Sequence, residues 1–264
     1  MAERWADSLT RSNRLLNPDD PSPTFVTNPH GRSPYLIVGD HAGRAIPAAL
    51  GDLGLPVAAM DRHIAWDIGV AGLGERLALA LDACFVRQAY SRLVIDCNRG
   101  PDASDAVPAI SDGTAIPGNA GLSPADIVAR RRDICAPYQA CIADIIDARQ
   151  ARGQPTLFFS LHSFTPVFGG FVRPWRFGVL HRGDSGLSRR VLGLLRASVG
   201  EAAGDNQPYA MDGIDYTVPL HVDPRGLDYL ELEVRQDLIG EERGLDDTAA
   251  FLAPILQEAL APPR

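Results

Sequence analysis

Residues 35–43 read Tyr35-Leu36-Ile37-Val38-Gly39-Asp40-His41-Ala42-Gly43, an apolar run closed by a Gly-rich polar turn. The run is made of strand formers without alternation, which predicts a strand buried on both faces. A buried strand that delivers a polar turn is where open α/β folds place their chemistry.

Outward from this stretch the pattern returns. Residues 84–88 and 92–97 (Arg92-Leu93-Val94-Ile95-Asp96-Cys97) read as strands. So do 156–161, ending in His162-Ser163, then 177–180, and the alternating run 227–234 that carries Glu231 and Glu233. Between them, Ile64, Ile68, Ala71, Leu73, Leu77 and Leu81 recur at helical spacing, predicting a helix over 59–83. Further helices are predicted over 123–152, 185–200 and 246–260. Ser123-Pro124 gives the first of these an N-cap and a first-turn proline, and Pro137 marks a kink within it. Strands alternating with helices, without internal repeats, predict a single-domain α/β fold with a central mostly parallel or mixed β-sheet flanked by helices. Residues 1–30 are polar, Pro-rich and aperiodic, an arm with Trp5 and Phe25 as candidate anchors; the α/β domain is expected over 31–264. The stretch 99–122, with four glycines and three prolines, is long for a bare connection and is a candidate wall or lid of an active site.

At 264 residues, 45% hydrophobic and 22% charged, the chain suits one large globular domain. Its formal net charge is −8, and its longest basic stretch is Arg130-Arg131-Arg132, which falls in a helical pattern and reads as a solvated face. Nucleic acid is therefore not an expected partner. Cys84, Cys97, Cys135 and Cys141 show no Cys-x-x-Cys spacing and read as free thiols in a reducing compartment. The first twenty residues lack an apolar signal core and no later run is long enough to span a bilayer. A cytoplasmic protein without membrane contact is expected, and self-association into a homo-oligomer is compatible with the sequence.

Several strands carry groups that a core would not want: His41, the Asp96/Asn98/Arg99 cluster, His162, and the pair Glu231 and Glu233. Taken singly, each has a structural reading as a hydrogen-bonded histidine, an ion pair or a solvated strand face. One sheet, however, would bring them all to one rim. Two histidines and a carboxylate leave an open position on Zn²⁺, which lowers the pKa of its water to about 7. A further Glu can take that proton, and Asn and Arg groups can hold an anionic substrate. Gly-x-Ser-x-Gly, Gly-x-Gly-x-x-Gly, the phosphate loop and His-Glu-x-x-His are all absent. Ser163 directly follows His162, and neighbours on a strand point to opposite faces, which argues against a Ser–His dyad.

Seven blocks in order resemble the N-formylglutamate amidohydrolase family, from Asn28 to about Leu238. They are Asn28-Pro-His-Gly-Arg-Ser-Pro, Val38-Gly-Asp-His-Ala-Gly-Arg-Ala-Ile-Pro47, Asp61-Arg-His-Ile-Ala-Trp-Asp-Ile-Gly69, Tyr90-Ser-Arg-Leu-Val-Ile-Asp-Cys-Asn-Arg99, Ser160-Leu-His-Ser-Phe-Thr-Pro166, Asn206-Gln-Pro-Tyr209 and Leu230-Glu-Leu-Glu-Val-Arg-Gln-Asp-Leu238. The family is similar in fold to the zinc carboxypeptidases and the aspartoacylase group, which implies a metal at the strand ends of a central sheet. By this resemblance His41 and His162 are two metal ligands. The carboxypeptidase group has a Glu three residues after its first histidine, where this chain has Arg44. The carboxylate ligand is then expected at Asp67, with Asp61 and Asp40 in reserve; on a helix Asp67 would lie about one and two-thirds turns beyond Asp61.

The resemblance further implies that Asn98 and Arg99 grip a substrate carboxylate and that Glu233 activates the water. It gives His221 a role in substrate contact or proton transfer, with Arg44 and Arg173 as additional cations. The expected reaction is zinc-dependent hydrolysis of the amide C–N bond of a small acidic N-formyl or N-acyl amino acid such as N-formylglutamate. An amidohydrolase for another N-acyl amino acid or short peptide, and a non-catalytic binding protein on the same scaffold, are the alternatives.

Overall fold

The apolar runs form the middle of a seven-stranded sheet in the computed structural model, which describes residues 14–211, 213 and 215–261. The strand order is β1 (Thr24–Thr27), β3 (Cys84–Gln88), β2 (Tyr35–Gly39), β6 (Leu157–Phe164), β11 (Asp228–Arg235), β9 (Phe177–Leu180) and β10 (Ala203–Asp205). Strands β3, β2, β6 and β11 are mutually parallel, β1 and β9 pair antiparallel with their inner neighbours, and β10 is parallel to β9. The remaining strands, β4 (Ile110–Ser111) with β5 (Thr114–Ala115) and β7 (Val167–Phe168) with β8 (Phe171–Val172), form two short hairpins. The molecule is thus a single α/β domain around a mixed sheet flanked by helices.

Side chains two apart share a face. On one face Tyr35, Ile37, Phe159, Leu161, Leu230 and Leu232 pack with the apolar stripes of three helices. After the four-residue α1 (Val57–Met60), these are α2 (Val70–Leu81) and, beyond the helices named next, α5 (Gly186–Val199) and α7 (Glu242–Glu258). On the other face Leu36, Val38, Phe158 and Tyr229 pack with Ile134, Tyr138 and Ile142. These come from the segment of α3 (Pro124–Arg130), a π-helical turn (Arg131–Cys135) and α4 (Ala136–Ala151). Further along, this second face turns polar, with Ser160 and His162 on β6, Glu231 and Glu233 on β11, and Asp40 just past β2. The change falls toward the carboxyl ends of the parallel strands, where such sheets bind ligands.

Several elements depart from the sequence expectation. The helix expected over 59–83 is broken, because residues 61–69 turn toward the sheet and the Asp67 N–H donates to the His41 carbonyl at 2.9 Å. Gly69 restarts the helix with φ 84, and a Cβ there would meet the Ile239 carbonyl oxygen at 2.2 Å. The run 92–97 is a buried series of turns, not a strand; Ser91 Oγ accepts from the Leu93 N–H and donates to the Ala65 carbonyl. Strand β6 continues through His162 to Phe164, so His162 sits within the strand.

The long helix carries its irregularity in the π-helical turn before Pro137, whose missing N–H cannot continue the ladder. Ser123 and Asp126 complete its N-terminal capping box, which stabilises by about 1 kcal/mol. Arg130 is not on a solvated face: it is 1% exposed and donates to the Val94 carbonyl and to Asn119 Oδ1. Arg131 donates to the Gly100 carbonyl, so Arg130 and Arg131 stitch the 94–119 stretch to the helix, while Arg132 pairs with Asp133. Part of the expected arm is the sheet edge β1, where Arg87 stacks on Phe25 at 4.5 Å; Trp5 lies outside the described residues. The four cysteines are free thiols, and no helix among the described residues is long and apolar enough to cross a membrane.

Candidate active site

Three elements converge at the polar end of the sheet. The turn after β2 carries His41, the connection before α2 carries Asp67, and β6 carries His162. One ligand atom from each lies within 4.8 Å of the others, and all three residues are buried. Asp67 Oδ2 stands 3.0 Å from His162 Nδ1 and 3.5 Å from His41 Nδ1. The opposite ring nitrogens are held from behind. His41 Nε2 lies 2.7 Å from Asp96 Oδ1, and His162 Nε2 lies 3.0 Å from Ser160 Oγ and 3.6 Å from Asp40 Oδ2. Such outer contacts fix ring orientation and point the free nitrogens at one spot. His41 Nδ1 is buried there without a hydrogen-bond partner among the described residues. Two imidazole nitrogens and a carboxylate oxygen form a donor set that suits a divalent metal with an open position.

The charges around this cluster are balanced. Burial opposes ionisation of Asp67, but His41 and His162 outweigh it and hold its carboxyl well below the usual range. Burial likewise opposes the charge of Asp96, and Arg92 and His41 more than offset it. Arg92 reaches both acids, with Nη2 at 2.7 Å from Asp96 and Nη1 at 3.4 Å from Asp67. It therefore stays a cation at the wall of the site.

A cavity of about 330 Å³ opens beside the cluster, lined by His41, Asp67, Arg92, His162, Glu231 and Glu233 among others. Glu233 is the register partner of His162 across the parallel β6–β11 pair. On its other side β11 meets Gly178 of β9, where a Cβ would lie 1.9 Å from the Gln207 carbonyl oxygen. Glycine thus lets the 206–210 stretch with Tyr209 close over the sheet. Burial pushes Glu233 up to about 7 and pushes Glu231 well above the usual carboxylate range.

Asn98 and Arg99 line the same cavity. Asn98 Oδ1 accepts the N–H groups of Tyr216 and Thr217 at 2.9 and 2.8 Å, and its Nδ2 donates to Asp215. It therefore braces the start of α6 (Thr217–Val222) as well as facing the space. Arg99 donates from Nε to Asp105 at 2.8 Å and from Nη1 to its neighbour's carbonyl at 3.0 Å.

Three sequence candidates fall elsewhere. Arg44 does not line the cavity; it lies over Trp66 and pairs with Asp61 at 2.9 Å on the surface, which removes Asp61 from the ligand set too. His221 is buried beneath the site, stacked on Phe158, with Nε2 donating to Gln139 Oε1 at 2.7 Å. Gln139 donates to Thr217 Oγ1, which donates to Asp40 Oδ1, so the hydrogen-bonded chain from His221 ends at Asp40, whose Oδ2 stands 3.6 Å from His162 Nε2. Arg173 is buried behind the wall, donating to the Thr165 carbonyl and to Tyr209 Oη amid three aromatic rings. Asp40, the other reserve ligand, backs His162 on the side away from Nδ1. Arg92, Ser160, His63 and Tyr209 were not singled out by the sequence, although each falls inside one of the seven blocks quoted above.

Fold and site together are those of an α/β enzyme with a candidate metal centre. The sequence profile of the N-formylglutamate amidohydrolase family matches residues 33–240, and the chain belongs to that family. The crystal structure of a gene product from Agrobacterium tumefaciens is similar with a TM-score of 0.90 at 35% identity, covering 94% of this chain and 98% of that one. The structure of N-formylglutamate amidohydrolase from Ralstonia eutropha is similar with a TM-score of 0.68 at 20% identity, covering 90% and 97%. No curated protein matches the chain.

Proposed function

We propose that the chain hydrolyses the amide C–N bond of N-formyl or closely related N-acyl amino acids, with Zn²⁺ held by His41, Asp67 and His162. The observation that carries this reading is the cluster of these three ligand atoms within 4.8 Å, in the same cavity as Glu233. The fit to a metal rests on the buried, unpartnered His41 Nδ1 and on the acids and hydroxyl that hold the far ring nitrogens. When bound, zinc supplies a Lewis acid and lowers the pKa of water.

The chain's own groups do the rest. Glu233, beside His162 and raised to about 7, takes a proton from the attacking water and returns it to the leaving nitrogen. Arg92, fixed by Asp96 and Asp67, faces the cavity as the cation nearest the cluster and stabilises the oxyanion. Arg99 holds the substrate α-carboxylate with its remaining guanidinium donors. Asn98 positions the Asp215–Thr217 segment beside it. His221 is a positioning group, bracing Asp40 through Gln139 and Thr217.

In this reading 31–264 is the catalytic domain and 1–30 an arm that adds the edge strand, and the free thiols fit a cytoplasmic enzyme. The test is a screen of N-formyl, N-acetyl and N-carbamoyl amino acids, measuring released acid and free amino acid in equal amounts. Release from the N-formyl set with zinc present is expected. A zinc-loaded, folded protein that cleaves none of the three sets contradicts the proposal.

A further inference from the structure

Arg173 is 5% exposed, and no carboxylate among the described residues pairs with it. It donates to the Thr165 carbonyl at 3.1 Å and to Tyr209 Oη at 3.0 Å. The rings of Phe164, Phe168 and Tyr209 surround it at 5.6, 5.0 and 4.8 Å. A buried guanidinium without a counter-ion is costly, and ring faces offset only part of that cost. Other arginines of this region already have acids: Arg62 has Asp112, Arg92 has Asp96 and Asp67, and Arg99 has Asp105. Arg173 has none.

Arg173 meets the cavity through Phe164, Thr165 and Tyr209, each of which touches it and lines the space. By accepting from Arg173, Tyr209 Oη leaves its own proton without an acceptor among the described residues. A hydroxyl polarised from behind by a cation is a strong donor to a carboxylate. Desolvation and the nearby Glu233 push the phenol's pKa up, so that proton stays in place at neutral pH. The stretch is also fixed beside the reacting centre. The Gln207 carbonyl crosses over Gly178, the register partner of Glu233, and Tyr209 follows two residues on. The wall continues through Phe168 to His63, whose ring lies 6.5 Å from that of Phe168 and also lines the cavity. Burial and the charges of Arg62, Arg92 and Arg173 lower the His63 pKa against the pull of Asp112, so positive potential reaches this side. Arg92 is assigned to the oxyanion and Arg99 to the α-carboxylate. The anion left for this wall is one on the substrate's side chain.

We infer that Tyr209 is the specificity-determining residue for an acidic substrate side chain, donating its hydroxyl proton to that carboxylate, with Arg173 as a positioning residue that supplies the balancing charge through Tyr209. This rests on the amidohydrolase reading above. The test compares kcat/KM of the zinc-loaded full chain on N-formyl-L-glutamate and on its neutral isostere N-formyl-L-glutamine. The wild type should favour the glutamate compound at least about tenfold, the worth of one charge-assisted contact. Tyr209→Phe keeps the ring over Arg173 and loses the donor. It should lower the glutamate value by about ten- to a hundredfold, chiefly through KM, and shrink the preference by about tenfold. Arg173→Met fills the same space without charge and should shrink the preference likewise, whereas Arg173→Lys should restore part of it. Should the Arg173 variants not fold, Tyr209→Phe, at an exposed position, decides alone. A wild type indifferent to the side-chain charge, or equal losses on both substrates in Tyr209→Phe, overturns the inference and leaves the amidohydrolase reading standing. A wild type that hydrolyses neither compound also overturns it, and the acyl-group screen above then decides the amidohydrolase reading.

Discussion

His41 Nε2 lies 2.7 Å from Asp96 Oδ1, which leaves Nδ1 of the same ring facing Asp67 and His162. Asp96 therefore sets the tautomer and direction of one ligand without approaching the metal position itself. Asp96→Asn keeps the shape and weakens this hold. Zinc affinity should fall by about ten- to a hundredfold, as for the loss of other outer-shell partners. Chelator competition measures it, and unchanged affinity would show that the ring needs no brace.

The ligands themselves should separate sharply from the surface acid. Asp67→Ala should remove most of the bound zinc, whereas Asp61→Ala breaks only an exposed pair with Arg44. Exposed pairs contribute about 0–1 kcal/mol, so Asp61→Ala should leave both zinc content and melting temperature close to wild type. Metal analysis with circular dichroism decides; the opposite order would move the ligand to Asp61.

Glu233→Gln separates chemistry from binding. It keeps volume and hydrogen-bonding groups and removes the base, so zinc should be retained while kcat falls by about two to four orders of magnitude. In the wild type Glu233 must be ionised to accept a proton, so kcat/KM should rise with pH through about 7 and level off above it. Near-normal turnover in the variant would transfer the role to Glu231.

His221 should reveal itself in stability. Burial lowers its pKa from 6.5 to about 4, so the unfolded chain takes up the proton first as pH falls. Its contribution is full above about 6.5 and is lost as pH drops toward 4, on the order of 3 kcal/mol in total. The melting temperature of the wild type should therefore fall faster between pH 7 and 5 than that of His221→Gln. Parallel curves would mean that the imidazole titrates in the fold as it does in the unfolded chain.

The sheet was legible because β2 and β9 are uninterrupted apolar runs, β6 opens on one, and β11 reveals itself by alternation around two acids. The 92–97 run looked the same and is not a strand. Periodicity reports burial, and those residues are buried between the sheet and helices without pairing. The break in the expected 59–83 helix goes with long-range bonds, among them Asp67 N–H to the His41 carbonyl and Arg92 N–H to the Ala65 carbonyl, which no local propensity encodes. Among the site residues, Glu231 and Glu233 were placed on one face by alternation, whereas His162, read at the end of the 156–161 run, lies within β6 opposite Glu233. Cations were harder. Arg44 leaves the turn toward Trp66 and Arg92 enters the cavity from a segment read as a strand, and neither direction is set by spacing.

The central claim is that the His41–Asp67–His162 cluster holds the metal on which amide hydrolysis depends. Its most direct test is formate release from an N-formyl amino acid by chelator-treated protein titrated with zinc. The rate should start near zero, rise in proportion to added zinc, and level off at one equivalent per chain, with no rise in His41→Ala. Full activity in the chelator-treated protein, or the same zinc response in His41→Ala, would contradict it.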